Sequence, residues 1–204
     1  MKNTAIVSKY IEETDANIPI FLSDVKNFVG ENAKMILSRL VKADVIVRCG
    51  HGIYYKPEKT IWGDSVPGND TIIKHKYLDD KNGCIKGYIT GARLFNHLGL
   101  TTQVPRMTEV VSNEWKGKNK TVTGFGAIVK KPKTKVNNEN YLYQQLLDII
   151  ENRSNIQVES ATSKEILQAF YNDNNLDFTM LYKVGIARGT AKHTMQKAAD
   201  LILG

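Results

Sequence analysis

The residues with recognisable chemistry lie in two adjoining stretches. In ENAKMILSRLVKAD (31–44), setting the apolar stripe aside leaves Asn32, Lys34, Met35, Ser38, Arg39 and Lys42. In VIVRCGHGIYYKP (45–57), Arg48, His51, Tyr54 and Lys56 surround a Gly-His-Gly tip. This is the chemistry of recognition rather than bond-making. Arg and Asn pair bidentately with base edges, and Lys and Ser hold phosphates. Gly50 and Gly52 let the tip turn and approach another backbone closely. These ten residues are the expected DNA-binding set.

Bond-making chemistry is poorly represented. GIARGTAKHT lacks the four-residue gap and the Gly-Lys-Ser/Thr ending of a phosphate loop, and GFGAIV lacks the third glycine of a dinucleotide fingerprint. Cys49, Cys84 and His51, His75, His97 and His193 are scattered without zinc spacing. His97 suits a helix C-terminus better than a metal. No carboxylates are paired for hydrolysis. The expectation is a non-enzyme with no catalytic residue, metal or cofactor.

Helices and a hairpin must position the recognition residues. Ile6, Val7, Tyr10 and Ile11 have helical spacing within 3–13, and IPIF follows as an extended link. Ser23 is expected to cap a helix with Val25, Phe28 and Val29 on its apolar face and Gly30 at its end. In the third helix Ala33, Ile36, Leu37, Leu40 and Val41 fall at offsets 0, 3, 4, 7 and 8, which is a buried stripe. Two helices joined by a tight turn have helix-turn-helix proportions, and the hairpin after them makes the unit a winged helix.

Gly63, Pro67 and Gly68 then mark a connection, and a boundary is expected near Gly68. The domains are thus 1–68, a winged helix-turn-helix, and 69–204, a mixed α/β domain. The latter combines a short strand or turn at GYITG, a helix over 91–98 stopped by Gly99, and strands in TEVVSNEW and TGFGAIVKK. Helices follow over 141–153, in SKEILQAFYNDN with Ser163 as cap, and over 176–187 and 190–203. The fold class is α+β, with a small sheet followed by C-terminal helices.

Charge agrees with a polyanionic partner. The chain of 204 residues carries a formal net charge of +7. Residues 61–140 hold 13 basic and 7 acidic side chains, whereas 141–204 hold 6 and 7. The start, MKNTAIVSKYIEETD, is too polar and acidic for a signal peptide, and no run is apolar enough to span a bilayer. Two cysteines imply no disulfide framework, so a cytoplasmic setting without a membrane partner is expected.

Residues 116–135 contain Lys116, Lys118, Lys120, Lys130, Lys131, Lys133 and Lys135 and no acid. They are either a second phosphate-binding or partner surface, or lysines that guard a hairpin edge against aggregation.

The wing Gly52 to Tyr55, the Gly-Tyr-x-x-Gly of Gly87 to Gly91, and the Leu-Gly-Leu-Thr-Thr-Gln-x-Pro of Leu98 to Pro105 carry a family resemblance. Over about residues 20–130 the chain resembles AbiEi-type antitoxins, transcriptional regulators of bacterial type IV toxin–antitoxin (abortive infection) systems. The likeness is weaker over the last 70 residues. It implies an N-terminal winged helix that binds double-stranded DNA, autorepressing its own promoter at inverted repeats. It also implies a C-terminal domain that counters a nucleotidyltransferase-like toxin without a stable complex. The alternative is a plain winged-helix regulator whose second domain senses a ligand or dimerises.

Overall fold

The computed structural model describes residues 2–61, 63–80, 82–115, 117, 120–122, 124–152 and 163–202. The chain divides into two compact units, Met1–Ile72 and Ile73–Gly204. The division falls four residues beyond Gly68, inside a short helix.

In the first unit the order is α1 (Lys2–Glu12), β1 (Ile20–Phe21), α2 (Leu22–Val29), a 3-10 turn (Gly30–Asn32), α3 (Ala33–Lys42), β2 (Val47–Gly50) and β3 (Ile53–Tyr55). The strands form an antiparallel sheet in the order β1-β3-β2. A single core joins helices and sheet: Val7 and Ile11 of α1, Ile20 of β1, Val25 of α2, Ala33, Ile36 and Leu37 of α3, and Ile46 and Tyr54 of the hairpin. Each large aliphatic side chain buried there contributes roughly 1.5–3 kcal/mol.

Ser23 does not cap α2. The helix leaves the sheet directly from Phe21, whose backbone is extended (φ −94°, ψ 141°), and the Leu22 amide donates to the Gly52 carbonyl at 2.8 Å. That bond satisfies an early helical amide, and the Ser23 hydroxyl lies against Asp24 Oδ1 instead.

The segment expected as plain connection contains more structure. A small exposed hairpin pairs β4 (Lys59–Thr60) with β5 (Gly63–Asp64). Then α4 (Asn69–Ile73) runs into a π-helical turn, Lys74–Leu78, and Ile72, Ile73 and Tyr77 are buried.

The second unit holds a four-stranded sheet in the order β6-β7-β9-β8, from β6 (Gly87–Thr90), β7 (Thr108–Ser112), β8 (Lys120–Val122) and β9 (Ala127–Lys130). The central pair β7 and β9 is parallel, and the outer pairings are antiparallel. Helix α5 (Gly91–His97) links β6 to β7. The helices α6 (Tyr141–Asn152), α7 (Ser163–Asp173), α8 (Phe178–Ala187) and α9 (Lys192–Ile202) complete the unit. Their core gathers Leu94, Phe95, Leu146, Leu147, Ile149, Leu167, Leu181 and Ala198. Thus the class is α+β, as expected. Among the described residues no helix is long and apolar enough to cross a membrane.

Candidate nucleic-acid interface

Helix α3 is reached through a sharp turn. Gly30 sits at φ 60°, ψ −141°, and its amide closes α2 on the Lys26 carbonyl. Burying Ala33, Ile36 and Leu37 sends the opposite face outward. Asn32, Lys34, Met35, Ser38, Arg39 and Lys42 are all exposed there. The nearest acid along the chain, Glu31, is occupied by Lys26 Nζ at 2.9 Å. Among the described residues no carboxylate lies within ion-pair distance of Lys34, Arg39 or Lys42, so this face is cationic. Beyond the last helical residue, Lys42, Asp44 takes the left-handed conformation (φ 54°) while Val45 N bonds the Leu40 carbonyl, which closes α3.

The hairpin carries a β-bulge between Arg48 and Gly50, so Cys49 has no partner across the ladder. A bulge re-aims the side chains beside it. Arg48 is exposed, and its Nε donates to the Gly50 carbonyl at 3.1 Å. His51 is exposed in the turn, with Gly52 at φ 68°. Arg48 and His51 therefore stand on one hairpin end, next in the chain to the exposed face of α3.

Two members of the expected set are used inside the unit. Tyr54 is only 6% exposed, because β3 is the central strand and Tyr54 is paired to Ile20 on one side and Arg48 on the other. It is a core residue and not part of the exposed face. Lys56 is half-buried, and its Nζ donates to the Ile11 and Glu12 carbonyls at 3.5 and 3.2 Å. It caps the C-terminal end of α1, where orphan carbonyls concentrate negative potential.

The lysine-rich stretch is also partly committed. Lys130 is paired with Glu109 across β7 and β9, and Lys133 Nζ lies 2.7 Å from Glu151 Oε2. Lys131 and Lys135 are exposed. Lys120 begins β8 at the sheet edge. Lys116 and Lys118 lie outside the described residues.

Sequence reasoning missed a buried ionic cluster in the second unit. Arg188, at the end of α8, reaches α6: Nη1 donates to the Gln144 carbonyl at 2.7 Å, and Nη2 to Asp148 Oδ1 at 2.6 Å and Glu151 Oε2 at 3.0 Å. The other Asp148 oxygen accepts from the Tyr88 and Thr90 hydroxyls of β6 at 3.0 and 3.1 Å. Burial first, and then the Asp148 carboxylate, push the Tyr88 phenol well above its ordinary pKa. The cluster ties β6, α6 and α8 together. Arg188 stands in GIARGT and Tyr88 in GYITG, but neither motif reveals a partner 40 or 60 residues away. Among the described residues no group of three His, Cys, Asp or Glu side chains is placed to hold a metal ion.

A protein-family model matches residues 7–173. The chain belongs to DUF6088, a family of unknown function. No curated protein matches it. The matched span of this DUF6088 chain takes in α3, the β2–β3 hairpin, the sheet of the second unit and Asp148, and stops before Arg188. Within it, GYITG has a physical reading. A Cβ on Gly87 would stand 2.2 Å from the Tyr77 carbonyl oxygen and 2.4 Å from that of Val111. A Cβ on Gly91, at φ 66°, would stand 2.5 Å from Glu109 Oε1. The two glycines admit neighbouring groups, while Tyr88 and Thr90 between them bind Asp148. In this DUF6088 member the motif positions the second unit's framework.

Proposed function

We propose that this protein binds duplex DNA sequence-specifically as a winged helix, with α3 in the major groove and the β2–β3 hairpin along the backbone. The observation that carries this is one juxtaposition. An exposed helix face with Lys34, Ser38, Arg39 and Lys42, free of carboxylates, is followed at once by a hairpin exposing Arg48 and His51. A helix fits the major groove, where Arg39 and Asn32 match guanine and adenine edges. The cations around them supply the phosphate contacts that set register. The net charge of +7 adds sequence-independent attraction.

The regulatory role rests on the resemblance to AbiEi-type antitoxins. In this reading the first unit represses the protein's own promoter at inverted repeats, in the cytoplasm. The second unit counters a nucleotidyltransferase-like toxin without a stable complex. The protein performs no chemistry of its own.

Two assays on the full chain test this reading. A reporter driven by the DNA upstream of the gene is expected to be repressed, and repression is expected to fall in Arg39→Ala. Co-expression with the adjacent open reading frame is expected to restore growth that the frame alone suppresses. Repression without rescue would remove the antitoxin role and leave a plain regulator. An unrepressed reporter would remove autorepression.

A further inference from the structure

Helix α3 exposes one large apolar side chain amid its polar face. Met35 is 47% exposed, whereas Ala33, Ile36 and Leu37 are buried and Leu40 and Val41 pack against the core. A single exposed apolar residue is ordinary on a protein surface. The position of this one is informative. Met35 follows Asn32 by three residues and precedes Ser38 and Arg39 by three and four, so it shares their side of the helix. It stands among the side chains that the DNA-binding reading aims at base edges.

The major groove offers one apolar group at base level, the methyl on C5 of thymine. The same methyl occurs on 5-methylcytosine. We propose that Met35 reads a pyrimidine 5-methyl group near a guanine read by Arg39. This inference rests on α3 being the major-groove helix. An unbranched thioether with three rotatable bonds adapts to such a small contact. Four residues of helix advance about 6 Å, and successive bases on a strand are about 3.4 Å apart. The methyl and the guanine should therefore lie about two base steps apart.

The test begins with selection of a high-affinity duplex from a random library by the full-length protein. That duplex is then remade with deoxyuridine at each thymine in turn, and separately with 5-methylcytosine at each cytosine. At one position, methyl removal is expected to weaken wild-type binding about fourfold, the value of one buried methyl group. Met35→Ala is expected to bind the parent duplex more weakly and to lose no further affinity there. Met35→Leu should keep the sensitivity. A gain confined to the 5-methylcytosine arm would assign the methyl to modified cytosine rather than thymine. If no position responds to its methyl, or Met35→Ala responds as strongly as wild type, Met35 does not read a methyl group, although an enriched duplex still upholds DNA binding. A selection that enriches nothing overturns both.

Discussion

Arg188 and Asp148 form an ion pair at 2.6 Å with the Arg188 side chain only 1% exposed. A charge this deeply buried is tolerated because both terminal nitrogens are engaged, by Asp148, Glu151 and the Gln144 carbonyl on α6. Removing one partner strands the other in a poorly solvated site. Arg188→Met is therefore expected to destabilise the second unit by about 3–5 kcal/mol. Urea denaturation followed by circular dichroism measures this. Combining Arg188→Met with Asp148→Asn should recover part of the loss, since the stranded charge is then gone while an amide oxygen still accepts from the Tyr88 and Thr90 hydroxyls. A near-zero effect of the single change would mean that the pair does not hold the unit together.

Tyr88 links the same cluster to pH. Its phenol is held protonated by burial and by the neighbouring carboxylate, so its folded pKa lies above the unfolded value of about 10. The native state thus retains a proton that the unfolded chain releases above that pH. The associated stability is complete below about pH 10 and declines as pH rises beyond it. Tyr88→Phe is expected to flatten that decline without abolishing it, because burial raises Tyr77 and Tyr171 too. Losing a hydrogen bond to a charged acceptor should also cost about 1.5–3 kcal/mol near neutrality. Denaturation midpoints from pH 7 to 11 test both statements.

Gly87→Ala sets a methyl against two backbone carbonyls, which cannot swing aside as a flexible side chain would. A loss of about 1–3 kcal/mol is expected from the overpacking. Gly99→Ala meets nothing within 4 Å and suffers only the strain of φ 73°. Thermal melts of the two variants should differ, with Gly87→Ala the less stable.

Arg48 within β2 and Lys56 just after β3 should behave differently. Arg48 is exposed at the hairpin end, so Arg48→Ala is expected to lower the salt slope of DNA binding by about one phosphate contact. Lys56 is engaged with the end of α1, so Lys56→Ala should cost about 0.3–1 kcal/mol of stability. Its salt slope should stay near wild type. Equal slope changes in the two variants would show that Lys56 leaves its cap to meet DNA.

Periodicity made α3 legible. Ala33, Ile36 and Leu37 are buried where the stripe put them, and the six polar-face residues named from the remainder are exposed. Local pattern could not show that β3 would be the central strand, which buries Ile53, Tyr54 and Tyr55 in succession instead of alternating them. The two-residue strand that covers β3, Ile20–Phe21, is too short to show a period of its own. The helical turns over 69–78 escaped notice for a related reason. The segment buries only Ile72, Ile73 and Tyr77, too few apolar residues to set up a repeat. Lys56 on α1 and Arg188 on α6 depend on groups about 40 residues distant, and no local pattern carries such pairing.

The central claim is that the outward face of α3 reads base edges, and Arg39 is its sharpest probe. Fluorescence anisotropy should compare wild type and Arg39→Ala on the promoter duplex and on a scrambled duplex of equal length, at one fixed salt concentration. Arg39 is exposed, so the fold should survive its loss, with an unchanged circular dichroism spectrum as the check. The expected result is a loss of about 1–3 kcal/mol on the promoter, the value of one bidentate base contact, with a much smaller change on the scrambled duplex. Equal affinity of the two folded proteins for the promoter would contradict the claim.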